Sequence, residues 1–543
     1  MKRDVYRALL IVALAICGGV LTYVPRLHAA DEWRAKPKPN ASDRFFGRGE
    51  IPELRIEISE AELQKLRQDY RKYVKAKLTE NDKEIYPDIG IKLKGAAGSF
   101  RGVDDRPALT INVDKFAAKD APQKSFHGVD KFHLNNSVQD GTYLNELVCS
   151  EIFRAAGIPA ARVTHARVWL NNRDLGLYVL KEGFDAPFLK RHFVNPKGNF
   201  YDGGFCQDIE TKLEKDSGDG PDDHSDLMAL VQALRTPKPE DRWPLISQRL
   251  NVDQFLTFFA LEVMTCHWDG YCRNRNNYRV YFDPVSRQAY FFPHGMDQMF
   301  GDTNASLQER GGAMVPQTVL QNPDWYTAYR YRQRELQPLF EPDRTHRIVN
   351  EAEYRLRPVL MKIHPDRARE ISDRAREMRD RLTARWTSIR DQIRSEPLPL
   401  QFNAQGEAII TDWIEKVESG NPKLARQATP GQPDLLTIEA VANQNCVASW
   451  RASILLPPGK YKLQVRAKGI NIQPTESGSG KGAGIRISGG QRSNQLSGTV
   501  DWTILEHPID IDSLRKVDVV AELRATQGTV QFQADQLKIV RLK

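Results

Sequence analysis

The chain has 543 residues and a mass of 61.8 kDa, a length that fits about three to four domains. Its 40% apolar and 27% charged residues exclude a disordered chain and a protein that crosses the membrane many times. The formal net charge of +8 comes from 78 basic and 70 acidic residues, an excess too small for this length to indicate nucleic-acid binding.

The first thirty residues have the pattern of an export signal. Basic residues precede the largely apolar stretch 8–24, and the small residues Ala29 and Ala30 follow it as a cleavage site. We therefore predict a signal peptide over 1–30 and an exported protein, whether periplasmic, at the cell surface or extracellular. The apolar stretch also has the length for an alternative, an uncleaved N-terminal anchor.

Residues 31–50 are rich in proline and basic residues, which predicts a linker. The chain then has the character of an α+β domain as far as residue 304. Hydrophobic periodicity predicts helices over 61–77, 143–156 and 252–266. Alternation and turn residues predict strands over 89–94, 108–113, 131–134, 162–170, 176–180, 278–282 and 289–293.

Residues 305–398 are predicted to be a helical extension of that domain, rich in arginine and glutamate but without coiled-coil heptads. Beyond the boundary, short alternating strands with Gly, Pro and Asn turns predict a jelly-roll-like β-sandwich over 399–543. The predicted strands are 408–410, 435–440, 448–456, 461–468, 484–488, 517–521 and 529–533. Trp413, Trp450 and Trp502 either offer their rings to sugars or pack in the core, and both interpretations stay open.

Five cysteines follow the predicted signal, an odd number spread widely along the chain. Their spacing indicates neither a disulfide framework nor a zinc site. We expect buried free thiols with at most one bridge.

The stretch most informative about chemistry surrounds Asp269. It lies between a predicted apolar helix and a predicted strand, and it contains Asn274, Asn276 and Asn277. The following hairpin ends shortly before Asp297. Kinase-type phosphotransferases need this order: one aspartate accepts the proton of the attacking hydroxyl, a loop asparagine binds a metal, and a second aspartate holds Mg²⁺. The alternative for each of these aspartates and asparagines is a structural role in a turn.

At these residues the sequence resembles the CotH kinase family, related to spore-coat protein H, whose fold is an atypical protein kinase. The resemblance covers about residues 51–304. Besides the two aspartate loops it rests on five motifs: 91–95 (IKLKG), 126–129 (FHGV), 134–136 (LNN), 143–146 (YLNE) and 176–182 (GLYVLKE). The resemblance implies an atypical protein-kinase-like domain over 51–304, followed by the helical extension and the sandwich.

The resemblance also implies roles for single residues in the aspartate loops. Asp269 matches the catalytic-loop aspartate, and Asp297 matches the metal-binding aspartate. Asn276 or Asn277 matches the asparagine that precedes the strand. Asn274 is a rival, because it follows Asp269 by five residues as in ordinary kinases.

Glu146 matches the helix acid that would pair with a phosphate-binding lysine, for which Lys94 and Lys131 are the two candidates. Gly95 to Ser99 would cover the phosphates, and the region of Glu182 would form the hinge around adenine. The implied cofactors are ATP with Mg²⁺, or Mn²⁺ in its place. The implied partner is a protein substrate, with polysaccharide as a further partner of the sandwich.

Two departures from the family pattern support a second interpretation. Gly295 stands where the family has an aspartate, and Asp202 stands where it often has a lysine. The first interpretation is an exported kinase that transfers the γ-phosphoryl group of ATP to a protein hydroxyl. The alternative is a non-catalytic, pseudokinase-like cell-surface or carbohydrate-binding protein. A metal-dependent hydrolase is disfavoured, since the sequence supplies too few assignable ligands.

Overall fold

The computed structural model describes residues 34–35, 39–47, 49–96, 98–118, 124–395, 397–428, 433–441, 444–475 and 481–542. The predicted signal peptide, like the alternative anchor, falls outside the described residues. Within those ranges, no helix has both the length and the apolar character needed to cross a membrane.

Seven strands in the first part of the chain close into a barrel. They are β1 (Glu53–Glu57), β2 (Val74–Glu80), β3 (Glu84–Lys94), β4 (Ala108–Asn112), β5 (Lys131–Asn135), β6 (Val163–Leu170) and β7 (Arg173–Glu182). They pair in the order β1-β2-β3-β4-β5-β7-β6, and a parallel pairing of β6 with β1 closes the ring. Side chains alternate along each strand, so Leu93, Leu109, Leu134 and Leu180 fill the interior while their neighbours face outward.

A short helix, α1 (Ala41–Phe46), lies inside the segment predicted as a linker. Asn40 caps it, and the carboxylate of Asp43 accepts a hydrogen bond from the Asn40 backbone N–H, which completes a capping box. Phe45 and Phe46 are buried in the barrel core. The segment therefore packs as part of the first domain.

The helix predicted over 61–77 was wrong in its second half. Helix α2 (Glu60–Gln68) begins at the Ser59 cap and ends at Asp69, and β2 begins at Val74. The apolar residues of that second half alternate along β2 and fill the barrel, so burial in the sheet outweighed the helical spacing.

Helix α3 (Asn145–Ala155) packs against β6 and ends before Gly157, which is left-handed at φ +81°. Strands β6 and β7 form a hairpin, and Asn171 in its two-residue turn adopts φ +52°. These two elements carry the charged residues described below.

A second, mainly helical part follows the barrel. Its helices are α4 (Ala186–His192), α5 (Ser225–Arg235), α6 (Pro239–Arg249), α7 (Val252–Met264) and α8 (Tyr271–Asn274). Strands β8 (Phe200–Asp202), β9 (Glu214–Ser217), β10 (Tyr278–Phe282) and β11 (Ala289–Pro293) form a sheet in the order β11-β10-β8-β9. Helix α7 is apolar and buried for most of its length, so it forms the centre of this part.

The predicted helical extension consists of α9 (Met314–Val319), α10 (Pro323–Leu336), α11 (Pro342–Ile363) and α12 (Pro365–Ser395). The apolar residues of α12 recur at helical spacing and join the core around α7. The fully buried Arg385 donates to the carbonyls of Val263 and Met264, at 2.9 Å each. It ties α12 to the end of α7, just before the Asp269 loop.

The last part is β-rich and encloses a core of its own. Its strands are β12 (Glu407–Ile409), β13 (Ile414–Ser419), β14 (Lys423–Gln427), β15 (Leu435–Ala440), β16 (Cys446–Leu456), β17 (Gly459–Pro474), β18 (Gly482–Ile487), β19 (Gly498–Ile511), β20 (Arg515–Gln533) and β21 (Lys538–Arg541). The strands predicted over 517–521 and 529–533 are parts of the single strand β20. The fold class, an α+β domain followed by an all-β sandwich, is confirmed.

The tryptophans of the sandwich divide between core and surface. Trp413 and Trp450 are buried, and their indole N–H groups donate to the carbonyls of Ile410 and Thr437. These two rings belong to the core, and only Trp502 stays partly exposed among the three. The interpretation of Trp413 and Trp450 as sugar-binding rings was therefore wrong, because their apolar faces gain more from burial.

The five cysteines after the predicted signal are free thiols. Cys149, Cys272 and Cys446 are buried, as expected for structural thiols, whereas Cys206 is exposed.

Candidate active site

A buried ion pair between β7 and α3 forms the centre of the candidate site. Strand β7 points Leu180 into the barrel, so Lys181 projects from the outer face toward α3. Its Nζ lies 2.9 Å from Glu146 Oε2, and both side chains are almost fully buried. The partner of Glu146 is thus Lys181 rather than Lys94 or Lys131, the two lysines proposed from the sequence.

Lys94 nevertheless lies beside this pair. It ends β3, and its Nζ donates to Asn135 Oδ1 at 2.6 Å. The pKa of Lys94 is lowered to about 8, mainly by burial and next by the charge of Lys181, against opposing effects of Glu146 and Asp297. Two lysines therefore approach the same pair of carboxylates.

Two neutral histidines line the same face. His133 on β5 stands opposite Lys181 in the sheet register, and His294 Nδ1 lies 3.3 Å from Lys181 Nζ. Burial lowers the pKa of both histidines well below its ordinary value, and the lysine charges add to this lowering. Both rings can accept or donate hydrogen bonds near pH 7 without adding charge.

The loop after β11 brings Asp297 to the pair. The Met296 backbone N–H donates to Glu146 Oε1 at 3.0 Å, and Asn145 Nδ2 donates to the Asp297 carbonyl at 2.9 Å. The pKa of the Asp297 carboxyl is raised to about 7, mainly by burial and next by the nearby carboxylates of Glu146 and Asp140. A carboxyl group with negative neighbours is suited to receive a cation.

Three asparagine side chains converge on Asp269, in the loop after α7. Asn274 Nδ2 donates to Asp269 Oδ1 at 2.6 Å, and the Nδ2 atoms of Asn276 and Asn277 donate to Oδ2 at 2.9 and 2.8 Å. The short helix α8 and the left-handed residue Arg275 turn the chain so that the three amides reach one carboxylate. All three predicted asparagines thus lie at Asp269.

Asn277 also connects the two aspartate loops. Its backbone carbonyl accepts the His294 N–H at 2.8 Å. Its side-chain Oδ1 lies 2.1 Å from the position that a Cβ on Gly295 would take, and Gly295 has φ +52°. The place where the family has an aspartate is therefore filled by the Asn277 amide, and a side chain at 295 does not fit beside it.

Replacing Gly295 with aspartate, which restores the family pattern, is expected to lower the free energy of unfolding by about 2–3 kcal/mol. The new Cβ would meet the Asn277 amide, and aspartate is strained at this positive φ. Urea unfolding measures the loss.

Two variants sharpen this test. The double variant Gly295→Asp with Asn277→Gly removes the clash and should recover part of the lost stability. Gly301→Asp is the matched control, since no atom lies within 4 Å of a Cβ there. Equal losses in Gly295→Asp and Gly301→Asp would contradict the explanation.

Arg279 adds a third cation near the pair. It stands opposite Asp202 across β10 and β8, and its Nη2 lies 2.6 Å from Asp202 Oδ2. Its guanidinium lies 5.7 Å from the centre of the Phe184 ring. Burial is the main cause of the lowered pKa of His294, and the charge of Arg279 contributes to it. Asp202, which replaces the lysine frequent in the family, thus holds an arginine near the cleft.

The other predicted residues do not contact the pair. Ser99 Oγ accepts the Ala96 N–H at 3.2 Å, and the Ser99 N–H donates to the Ala96 carbonyl at 3.1 Å. Lys131 affects the pKa of His133 by its charge, but in the described structure it does not pair with Glu146.

Glu182 faces away from the pair, since it follows Lys181 on the strand. It is fully buried, and its carboxylate accepts hydrogen bonds from Arg162 and Arg191. Arg162 also forms an ion pair with Asp43 of α1, with 2.7 Å between Nη1 and Oδ1. The Glu182 side chain therefore anchors β7 rather than facing a nucleotide.

Replacing Glu182 with glutamine is expected to destabilise the fold by about 3 kcal/mol at neutral pH, because the buried Arg162 and the partly buried Arg191 lose the carboxylate that they share. Burial raises the pKa of Glu182, but Arg191 and Arg162 outweigh it and hold the pKa below its ordinary value of 4.5. A carboxylate whose pKa is lower in the folded chain than in the unfolded chain stabilises the fold at a pH above the unfolded pKa. This contribution is lost as the pH falls through the folded pKa. Unfolding at neutral pH and below pH 4.5 measures both effects.

Glu210→Gln is the control for this prediction. Glu210 pairs with Arg235 on the surface, and exposed pairs contribute less than about 1 kcal/mol. A Glu182→Gln deficit that stays the same at both pH values would contradict the electrostatic explanation.

Sequence reasoning missed Lys181, although it stands inside a motif used for the resemblance. The available signal is a single lysine in the otherwise apolar run 177–181, on the strand face opposite Leu180. His294 and Arg279 were missed as well, because only the packing of the second part against the barrel brings them to the pair.

The described residues contain no group of three or more His, Cys, Asp and Glu side chains that could hold a metal. Mg²⁺ commonly binds through one or two carboxylates together with substrate phosphates. Asp297 and the asparagine oxygens are donors of this hard type. The residues therefore fit a divalent cation that binds together with a nucleotide.

Comparison with known proteins agrees with this geometry. The sequence matches the family described as CotH kinase protein over residues 91–395, more than half of the chain. It is 26% identical over 200 residues to invasin CotH7 of Rhizopus delemar, a match that covers 34% of this chain and 33% of that protein. It is 24% identical over 170 residues to inner spore coat protein H of Bacillus subtilis, covering 29% of this chain and 47% of that protein. The matches thus span between about a third and a half of the relatives' lengths.

Solved structures give weaker similarities. The Helicobacter pylori proinflammatory kinase CtkA aligns at 14% identity and a TM-score of 0.23, covering 48% of this chain and 91% of that one. A structure titled CBM4 aligns at 14% identity and a TM-score of 0.19, covering 24% of this chain and 86% of that one. The family match is what decides the identity, and it confirms the resemblance found in the sequence. The chain belongs to the CotH kinase family.

Proposed function

We propose that this chain is a kinase that transfers the γ-phosphoryl group of ATP to a hydroxyl group of a protein substrate. The observation that carries the proposal is the buried Lys181–Glu146 pair, to which the Asp297 loop is hydrogen-bonded. Protein kinases need a lysine–glutamate pair and a metal-holding aspartate in place together. The proposal therefore rests on the Lys181–Glu146 pair and on the Asp297 loop, which reaches Glu146 through the Met296 N–H.

The charges in the cleft suit a polyphosphate. Lys94 and Lys181 lie there beside the carboxylates of Glu146 and Asp297, and Arg279, which is paired with Asp202, adds a third cation. A cluster of cations of this kind can contact an anion with several charges. A divalent cation held by Asp297 would supply further neutralisation of the phosphates when bound.

The residues of the chain then have separate tasks. Lys181, oriented by Glu146, binds phosphate oxygens as a point charge. Asp269 accepts the proton of the attacking hydroxyl, and the three asparagine amides hold its carboxylate in one orientation. The neutral His133 and His294 leave the lysine charge available to the phosphates.

Calorimetry of ATP binding to the purified chain tests the proposal. We expect binding that requires Mg²⁺ or Mn²⁺ and that disappears in Asp297→Ala. Asp219→Ala is the control, because Asp219 belongs to an exposed surface pair with Lys197. Failure of the wild-type chain to bind ATP with either metal would refute the proposal.

A second candidate is a non-catalytic, pseudokinase-like protein, favoured by Gly295 in place of the family's aspartate. It predicts no phosphoryl transfer and a role in binding through the kinase-like domain or the sandwich. Retention of the chain on a polysaccharide column, without ATP binding, would favour it. Trp502 is partly exposed on the sandwich, and the variant Trp502→Ala tests whether its ring contributes to that binding.

We also propose a location at the cell surface or outside the cell. It is supported by the export pattern of the first thirty residues and by relatives named invasin and spore coat protein. Fractionation of cells that produce the chain tests this proposal, and recovery in the cytoplasmic fraction would contradict it.

A further inference from the structure

A cavity of about 160 Å³ lies between the barrel and the helical extension, away from the nucleotide cleft. Arg106, Tyr143 and Leu177 line it from the barrel side, and Arg367, Ile371 and Arg374 line it from α12. It is open to solvent on one side. None of its lining residues takes part in the proposed kinase chemistry.

Arg106 is the residue that gives this cavity its chemistry. It is half-buried, and it forms no salt bridge within the described ranges. Its Nη2 donates to the Leu177 carbonyl and, at 3.2 Å, to the Tyr143 hydroxyl, and its buried Nε has no hydrogen-bond partner. A guanidinium without a counter-ion in a partly buried place is costly unless an anion compensates it.

The rest of the lining adds two more arginines, the carboxylate of Glu370 and apolar surface. Arg367 and Arg374 pair with Glu370 and Glu377 at 3.3 and 3.1 Å, so each keeps donors that its partner does not use. Leu177 and Ile371 are buried beside them. A ligand that fits both features has an anionic head and a short apolar tail.

We propose that this cavity binds a small amphipathic anion, a carboxylate or a phosphate monoester on a short apolar group. The planar fork of arginine matches both head groups. The apolar tail would lie against Leu177 and Ile371. The proposal does not depend on the kinase function, since its residues lie outside the cleft.

Calorimetry with 4-phenylbutyrate and with phenyl phosphate tests the proposal on the full chain without nucleotide. We expect at least one of the two to bind, and the neutral analogue 4-phenylbutanol to bind at least about tenfold more weakly. The two anions together distinguish a carboxylate site from a phosphate site. No binding of either anion at about 10 mM, or equal binding of the neutral analogue, would overturn the proposal.

Variants locate the site. Arg106→Gln should weaken binding of the anion about tenfold. Two further variants test the site if Arg106→Gln fails to fold. Arg374→Gln removes a surface cation of the lining, and Gly141→Leu fills the cavity, so both should weaken binding. The nearest atom to a Cβ on Gly141 is Arg374 Nε at 3.9 Å, so a side chain enters without a clash. Arg376→Gln is the matched control on α12. Undiminished binding in both Arg374→Gln and Gly141→Leu would refute the assignment.

Discussion

Replacing Asp269 with alanine is expected to lower the rate of phosphoryl transfer by about 1,000-fold while the chain stays folded. Asp269 would accept the proton of the attacking hydroxyl, a contribution that typically lies between about 10² and 10⁴ in rate. Its carboxylate is partly exposed, so water can satisfy the asparagine amides that lose their acceptor. Transfer from radiolabelled ATP to a protein acceptor measures the rate.

The controls separate catalysis from folding and from binding. ATP affinity should change little in Asp269→Ala, because the proposed mechanism assigns this residue to the acceptor hydroxyl rather than to the phosphates. Asp219→Ala, in an exposed surface pair, should transfer phosphate at the wild-type rate. A wild-type rate in Asp269→Ala would show that another group takes the proton or that the chemistry is different.

Replacing Lys181 with methionine is expected to weaken ATP binding at least tenfold and to lower transfer about 100-fold. The same change should destabilise the fold by about 3 kcal/mol, because Glu146 would remain buried without its cation. Calorimetry and urea unfolding measure the two effects separately. Lys181→Arg keeps the charge and should keep more of the stability than of the activity.

Lys131→Met is the matched control for this prediction. Lys131 was one of the two lysines proposed from the sequence, and it lies on the neighbouring strand β5 without contact to Glu146. It should retain most of the wild-type affinity for ATP. A larger loss in Lys131→Met than in Lys181→Met would return the phosphate-binding role to the original candidate.

Local patterns predicted much of the first domain. The hairpin of β10 and β11, between the Asp269 loop and Asp297, has its predicted bounds. Alternating apolar residues and turn residues indicate a hairpin directly. The pattern failed over 61–77, where apolar spacing compatible with a helix belongs to a helix followed by a strand. It also failed over 517–533, where one long strand was divided in two. Periodicity over a few residues does not tell which partner a segment will meet.

The candidate site shows the same division. The two aspartates and the three asparagines were found from their order along the chain, and each asparagine lies at Asp269. The lysine partner of Glu146 was not found. Lys94, Lys131 and Lys181 all stand on barrel strands, and the apolar run before Lys181 does not by itself reveal which acid the lysine meets. Helix α3 lies beside β7, so the buried carboxylate of Glu146 pairs with Lys181, the lysine within its reach.

The sequence alone determined the family, the order of the chemical groups and the sequence of an α+β domain and a β-rich domain. These properties depend on neighbouring residues and on their spacing. Only the tertiary structure decided the lysine partner of Glu146, the burial of Trp413 and Trp450, and the place of Glu182 away from the cleft. Those outcomes depend on which faces of distant strands and helices meet, because burial of charge and of aromatic surface is settled by packing between elements.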